Sequence, residues 1–599
     1  MRRPLIASLL LLSCAAPSMA ETWVKVKSPH FTVISNGSEK QARQAAVGFE
    51  QIRTVVTTTF PGMRTDASAE TVILAVKDEH TFGELMPSEK KYVSHLGGLF
   101  SEGWEKDYVV VRLDIPDENR NIVYHEYTHK VLHLNFTRLP VWLDEGLAEF
   151  IGNTWMRPDG IFIGAPSPRL AELRSGAIYP IETILNVNHT SPYYRDADKA
   201  GLFYAESWGL THFLMLGPGM EQGQKMNAYL SSLQKGVDTK KSFDDTFGDR
   251  KDVERSFQAY ANRFLYAALR ADKIQKIDPS SFAGGPMTAA ETDAMLAGFY
   301  TKQREFDLAD KKLAAALGAD PKSGVAHENQ GFLDFVQGKD EDAQKEFETA
   351  LALNPESYLA VYYDAMMKYQ GKKDPDSLAQ LDAAMTKALE LNPRFAPALI
   401  VRSQIYVRQG KLQEAYNNSI QAQKLEPDRG GYRTNSAAIL LLGHNYPAAV
   451  ALGKAVATRW YDSDSAEALA VVTEARRLGK IEQTPDEKAE EDREMEYAKD
   501  TTPVEGIIQS VHCEKSQPLE IVLLSGDKSL TFHSGKKFGV GFSDTLWYGE
   551  DHFSGCFHID GMKALVRYAP STDPNGEREM RWFEIRDELI PTSVSSGQN

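Results

Sequence analysis

Apolar and polar residues alternate through Trp23-Val24-Lys25-Val26 and again through Phe31-Thr32-Val33-Ile34, the period of a strand with one buried face. The period then lengthens. Between residues 41 and 58 the apolar positions Ala45, Val47, Phe49, Ile52, Val55 and Val56 recur at helical spacing, and residues 71–76 return to a strand. Residues 97–100 and 108–113 predict two more strands around a turn at 101–106. After Pro140, residues 142–152 read as an amphipathic helix with Trp142, Leu143, Leu147, Phe150 and Ile151 on its apolar side. Residues 155–198 are rich in Pro, Gly, Asn and Tyr with little periodicity, which predicts an irregular segment able to shape a pocket. Helical spacing resumes over residues 202–216, and helices through Leu265 close this part of the chain.

A different organisation begins near Met287. Pro321, Pro355, Pro393 and Pro427 end similar helical stretches at intervals of 34, 38 and 34 residues, the longer one explained by an insertion around 372–377. Thirty-four is the tetratricopeptide period, and Gly331, Ala343, Phe347, Ala350 and Pro355, then Tyr406, Ala415, Ala422 and Pro427, fall at that repeat's positions. Three or four repeats are expected over 288–480, with residues 432–457 as a further pair or a cap. Such an array implies a concave surface for a protein or peptide partner, or a spacer that positions other domains. Residues 481–504 form an acidic linker, and 505–592 a small β-rich domain with strands at 506–512, 519–524, 529–533, 555–559 and 564–568.

Composition narrows the setting. The chain has 599 residues, which predicts three or four domains, and its 42% hydrophobic and 25% charged residues are those of ordinary soluble protein. A net charge of −16 with no basic run excludes nucleic acid as a partner. Arg2 and Arg3, the apolar residues 5–12 and Ser18-Met19-Ala20 make residues 1–20 a signal peptide cleaved before Glu21, and no later apolar run suffices for a transmembrane helix. The expected destination is export to the periplasm. Leu11-Leu12-Ser13-Cys14 leaves lipoprotein anchoring through Cys14 as the alternative. In an oxidising compartment Cys513 and Cys556 are expected to form a disulfide; a metal role with His512, His552 or His558 has no recognisable spacing.

The chemistry concentrates in His125-Glu126-Tyr127-Thr128-His129 and Trp142-Leu143-Asp144-Glu145-Gly146-Leu147-Ala148-Glu149. Four residues apart on a helix, His125 and His129 aim both imidazoles at one point with Glu126 beside them. Zinc needs a further protein ligand, and an antiparallel second helix would bring Glu145 over the histidines. Glu149, one turn on, would stand behind the metal and fix a ligand histidine's tautomer. His133 lies too far along the axis to complete the cage and reads as structural.

These two segments resemble the gluzincin, or peptidase MA-like, zinc metallopeptidases, as does the Trp…Ser-Pro-His-Phe-Thr-Val opening at residues 23–33. The resemblance implies His125, His129 and Glu145 as ligands of one zinc ion per chain, Glu126 as general base and Glu149 behind the ligands. The metzincin variant is excluded, since Leu132 and Asn135 stand where it needs Gly and His. The resemblance also implies that residues 107–114 face substrate, against the reading of an ordinary core strand. It implies an oxyanion-binding tyrosine or histidine downstream, for which Tyr193, Tyr194, Tyr204 and His212 are all candidates that spacing does not separate.

The expected architecture is therefore multidomain: an α+β gluzincin-like domain over 21–275, an all-α tetratricopeptide solenoid over 288–480 and the C-terminal β-rich domain. Two functions fit. One is an exported zinc metallopeptidase hydrolysing protein or peptide substrates; the other is a non-catalytic exported scaffold whose repeats bind partners while the zinc domain is structural.

Overall fold

The computed structural model describes residues 22–585 apart from short stretches, the longer of which are 88–97, 116–120, 188–190, 272–276, 458–462, 489–500, 513–518, 543–562 and 570–577. The expected signal peptide, all three cysteines and most of the expected acidic linker lie outside the described residues, as does the strand expected at 555–559. Among the described residues no helix is long and apolar enough to cross a membrane.

The N-terminal part is built on a six-stranded mixed sheet. Its strands are β1 (Val24–Lys27), β2 (Phe31–Ser35), β3 (Glu70–Val76), β4 (Gly98–Ser101), β5 (Lys106–Arg112) and β9 (Ala283–Pro286), in the order β4-β5-β3-β2-β1-β9. The β2, β3 and β5 strands run parallel, while β4, β1 and β9 pair antiparallel with their neighbours. Because β9 pairs with β1, the sheet domain extends past the expected boundary at 275. Between the sheet and the long helix Ala197–Leu216, the segment expected to be irregular contains β6 (Trp155–Arg157), β7 (Gly160–Ile163) and short helices; β8 (Leu269–Arg270) completes a small three-stranded sheet with them.

Alternation along β5 decides how the domains join. Val109 and Val111 enter a core with Phe49, Ile52, Tyr124, Tyr127 and Val131, from the helices Glu39–Thr59 and Asn121–His133. Tyr108 and Val110 enter a second core with Leu296, Phe299, Leu313 and Leu333 from the repeat array. A strand buried on both faces must be apolar throughout, which is why Tyr108 to Val111 reads as a run.

The array comprises five helix pairs, Ala289–Lys302 with Phe306–Ala319, Gly324–Val336 with Asp340–Leu353, Tyr358–Tyr369 with Pro375–Leu391, Ala396–Arg408 with Leu412–Leu425, and Gly430–Leu442 with Tyr446–Ala457, followed by the helix Ser463–Gly479. Residues 432–457 thus belong to a pair. A Cβ on Gly331 would lie only 2.8 Å from the Phe347 ring, so the glycine sets how closely the second pair packs.

The array also grips the sheet domain along its length. Glu328 holds Lys106 at 3.0 Å, the Tyr363 hydroxyl donates to Glu105 at 3.0 Å, and Asn392 donates to the Ser68 carbonyl at 2.8 Å. Arg394 meets Asp66 at 2.9 Å and Arg433 donates to Thr137 at 2.9 Å. This flank of the array is taken by the chain's own domain.

The C-terminal strands β10 (Thr502–His512), β11 (Glu520–Ser525), β12 (Lys528–Phe542), β13 (Lys563–Tyr568) and β14 (Arg578–Ile585) close into a barrel in the order β10-β11-β12-β14-β13. All pairings are antiparallel except β12 with β14. The domain is thus a small closed five-stranded barrel. The β14 strand had no counterpart among the strands read from sequence.

The Lys106–Glu328 pair is buried on both sides, and although burial opposes the ammonium charge, Glu328 and other nearby acidic groups hold its pKa above the ordinary value. Lys106→Ala strands the Glu328 carboxylate away from water and is expected to lower stability by about 3 kcal/mol. Lys106→Met with Glu328→Gln should recover most of that loss in chemical denaturation, because the unpaired charge is then absent.

Candidate metal centre

The helix Asn121–His133 presents Tyr124, Tyr127 and Val131 to the sheet, which turns His125, Glu126 and His129 the other way. A short connection through Pro140 returns the chain as the helix Val141–Gly152. Here Glu145 comes to the histidines: its Oε2 lies 3.4 Å from Nε2 of both His125 and His129, and the two Nε2 atoms stand 3.0 Å apart. These three donor atoms all lie within 4.8 Å of one another.

Gly146 makes the approach possible. A Cβ there would run into the Ser207 carbonyl and the Thr211 hydroxyl, so only glycine lets the long helix Ala197–Leu216 lie directly against the turn bearing Glu145. Gly152 similarly passes close to His125, where an added Cβ would sit 3.2 Å from the histidine Cβ.

The residue behind the histidines is Asp144. Its Oδ1 meets His129 Nδ1 at 3.0 Å and its Oδ2 meets His133 Nε2 at 3.1 Å. The role expected of Glu149 is corrected accordingly: Glu149 accepts from Asn153 at 3.0 Å, Arg169 at 2.8 Å and Ser167 at 3.4 Å. Antiparallel helices explain the exchange. The start of the second helix lies beside the end of the first, so Asp144 faces His129 and His133, while Glu149 is carried a turn further toward the loop holding Ser167 and Arg169. His133, expected to be structural, lies on Asp144, and the ligand atoms of His129, His133 and Asp144 also lie within 4.8 Å of one another. The signal that could have found Asp144 was its place immediately before Glu145, in the turn that had to face the histidines.

Of the four oxyanion candidates, Tyr194 reaches the site, its hydroxyl donating to Glu145 Oε1 at 3.1 Å. Tyr204 lies beside it, with ring centroids 6.0 Å apart. Burial, reinforced by the charge of Glu145, raises the pKa of both hydroxyls, and the further influence of Glu126 on Tyr204 places that glutamate on the same side. Both tyrosines stay protonated donors at neutral pH. The other two candidates are elsewhere. Tyr193 packs edge-on against Tyr179, and His212 is fully buried, its Nε2 2.9 Å from the Gly164 carbonyl and its Nδ1 2.9 Å from the Tyr260 hydroxyl. Burial lowers the His212 pKa to about 4, so it is a neutral core hydrogen-bonding group.

The substrate-facing role implied for residues 107–114 is also corrected. The β5 strand lies between β4 and β3, with Asp107 fully buried, so it is a core strand. The edge strand beside the helix Asn121–His133 is β4.

The donor set fits zinc. Two ring nitrogens facing each other at 3.0 Å repel unless a proton or a cation lies between them, and a carboxylate oxygen faces both. Burial lowers the His129 pKa, but Asp144 and Glu145 reverse this and raise it to about 11; burial raises that of Glu145, but the two histidines bring it down to about 2. Two imidazoles and one carboxylate are the ligand set of a catalytic zinc site, which leaves a coordination position open.

No protein-family model matches the chain, and no curated protein matches it. Among solved structures it is similar to a thermophilic TPR protein of Thermus thermophilus, at 18% identity and TM-score 0.26, covering 32% of this chain and all of that one. It is similar to pilF of Pseudomonas aeruginosa at 16% identity and TM-score 0.30, covering 35% of this chain and 90% of that one. Yeast Tom70 matches at 14% identity and TM-score 0.23, over 76% of this chain and 91% of that one. The repeat assignment rests on this chain's own five helix pairs.

Asp144→Asn keeps the shape but weakens the acceptor behind His129, so zinc affinity measured by chelator competition is expected to fall about 10–100-fold. Glu149→Ala, whose partners are Asn153, Ser167 and Arg169, should change it by much less.

Proposed function

We propose that the chain is an exported zinc-dependent metallopeptidase acting on protein or peptide substrates, with the repeat array bracing its catalytic domain. The observation that carries this reading is the convergence of His125, His129 and Glu145 on one point, backed by Asp144 and flanked by Glu126. A zinc ion held there would act as a Lewis acid toward a scissile carbonyl and make water a better nucleophile. Glu126 follows His125 directly and stays free of the ligand set; its carboxylate takes a proton from the attacking water and returns it to the leaving amine nitrogen. Tyr194 and Tyr204, kept protonated, aim hydroxyl donors at the same space and can bind negative charge developing on the carbonyl oxygen.

A second reading is a non-catalytic exported scaffold in which the zinc domain is structural. It is favoured by the extent of the repeat array and by how firmly the array and sheet domain are joined. On this reading the outer surfaces of the array take protein partners.

Glu126→Gln separates them. The substitution keeps size but removes the base, so the peptidase should retain zinc and fold while losing cleavage of a mixed peptide library by at least about 10²-fold. If the zinc-loaded wild-type protein cleaves nothing across that library and both forms capture the same proteins, the scaffold reading stands in its place.

A further inference from the structure

The helix Asn121–His133 carries a third histidine one turn beyond His129. His129 and His133 are four residues apart, as His125 and His129 are, so their rings leave the same face of one helix, with centroids 6.1 Å apart. Asp144 comes to them from the helix Val141–Gly152, as Glu145 comes to the first pair. Its Oδ1 stands 3.0 Å from His129 Nδ1 and its Oδ2 3.1 Å from His133 Nε2. The ligand atoms of these three residues all lie within 4.8 Å of one another, a condition that His125, His129 and Glu145 also meet.

Ligand atoms about 2.1 Å from a tetrahedral zinc ion are about 3.4 Å apart, so both rings already stand near the separation from Asp144 that a shared ion needs. On the far side of His133, Nδ1 faces Asp428 Oδ2 at 3.9 Å, from the turn between the fourth and fifth helix pairs of the array. A carboxylate toward the far nitrogen of a ligand histidine is the usual support that leaves the near nitrogen for the metal. The His133 side chain is 41% exposed against 15% for Asp144, so water can complete the coordination from the His133 side. Imidazole with carboxylate suits zinc, nickel and copper(II) and not calcium or magnesium.

We propose that His129, His133 and Asp144 form a second divalent-metal site, joined to the first through the His129 ring. Nε2 of that ring faces His125 and Glu145, and Nδ1 faces Asp144. With the first ion alone, Nδ1–H donates to Asp144. The second ion takes the place of that proton, which passes to water, and the imidazolate is shared by two cations. Metal–nitrogen bonds of about 2.1 Å on either side of one ring set the ions about 6 Å apart. Repulsion between two dications at that distance makes the second ion bind more weakly than the first, by about 10²-fold. The bridge requires that the first centre hold zinc, as proposed above; the three-residue site does not.

Dialysis of the full-length protein against graded free zinc, with the bound metal counted, tests this. Wild type should take two equivalents, the second more weakly. His133→Asn and His133→Gln should keep the tight equivalent and lose the weak one, Glu145→Ala should lose the tight one, and His129→Asn should lose both. Thermal unfolding of the metal-free His133 variants should match that of metal-free wild type, so that loss of the ion is not loss of the fold. Wild type saturating at one equivalent, or both His133 variants binding the weak equivalent unchanged, would overturn the site. One equivalent retained by His129→Asn would overturn the sharing. Absent cleavage with both equivalents bound would sink the peptidase reading and leave this site standing.

Discussion

The double burial of β3 and β5 is the constraint on which the rest of the molecule depends. One face of each strand belongs to the core that carries the helix Asn121–His133, and the other to a core shared with the first two repeat pairs. Neither the sheet nor the array can shed its partner without exposing Val72, Leu74 and Val110 on one side and Leu296, Phe299 and Leu313 on the other. At about 25 cal/mol per Å² of apolar surface this joint outweighs any single polar contact between the two. The ion pairs and hydrogen bonds from Lys106 to Arg433 then fix the orientation of surfaces that apolar burial has already brought together.

That joint gives the candidate centre a rigid foundation. The helix Asn121–His133 packs Tyr124, Tyr127 and Val131 on the sheet, the following helix packs on it, and the long helix Ala197–Leu216 closes over Gly146. Each histidine is therefore oriented from two directions, by its own helix and by a carboxylate on the next. Asp144 makes this economical in residues, since one side chain aligns His129 and retains His133. Buried polar groups so arranged are costly unless every partner is present, which explains why the cluster is continuous from His125 to His133.

The barrel stands apart in composition and in the origin of its order. Its core is small, centred on Ile508, Ile521, Leu523, Phe532, Val566 and Phe583, with Ala470 of the last helix packed against it.

Much of this was legible in one dimension. Helical spacing placed His125 and His129 on one face, because local periodicity dictates which side chains share a side of one element, and the family resemblance of the Glu-Gly pair at 145–146 implied Glu145 as a third donor. The interval of 34 residues likewise announced the repeats, since each pair buries its small residues against its own partner helix. Local pattern could not show which carboxylate would turn toward which ring, and there Asp144, not Glu149, meets His129. Nor could it show that β5 is interior, that His212 bonds to the Gly164 carbonyl, or that His129 and His133 share Asp144. These relations join residues through strand register and helix packing, whose partners are distant in the chain, so only the assembled tertiary structure decided them.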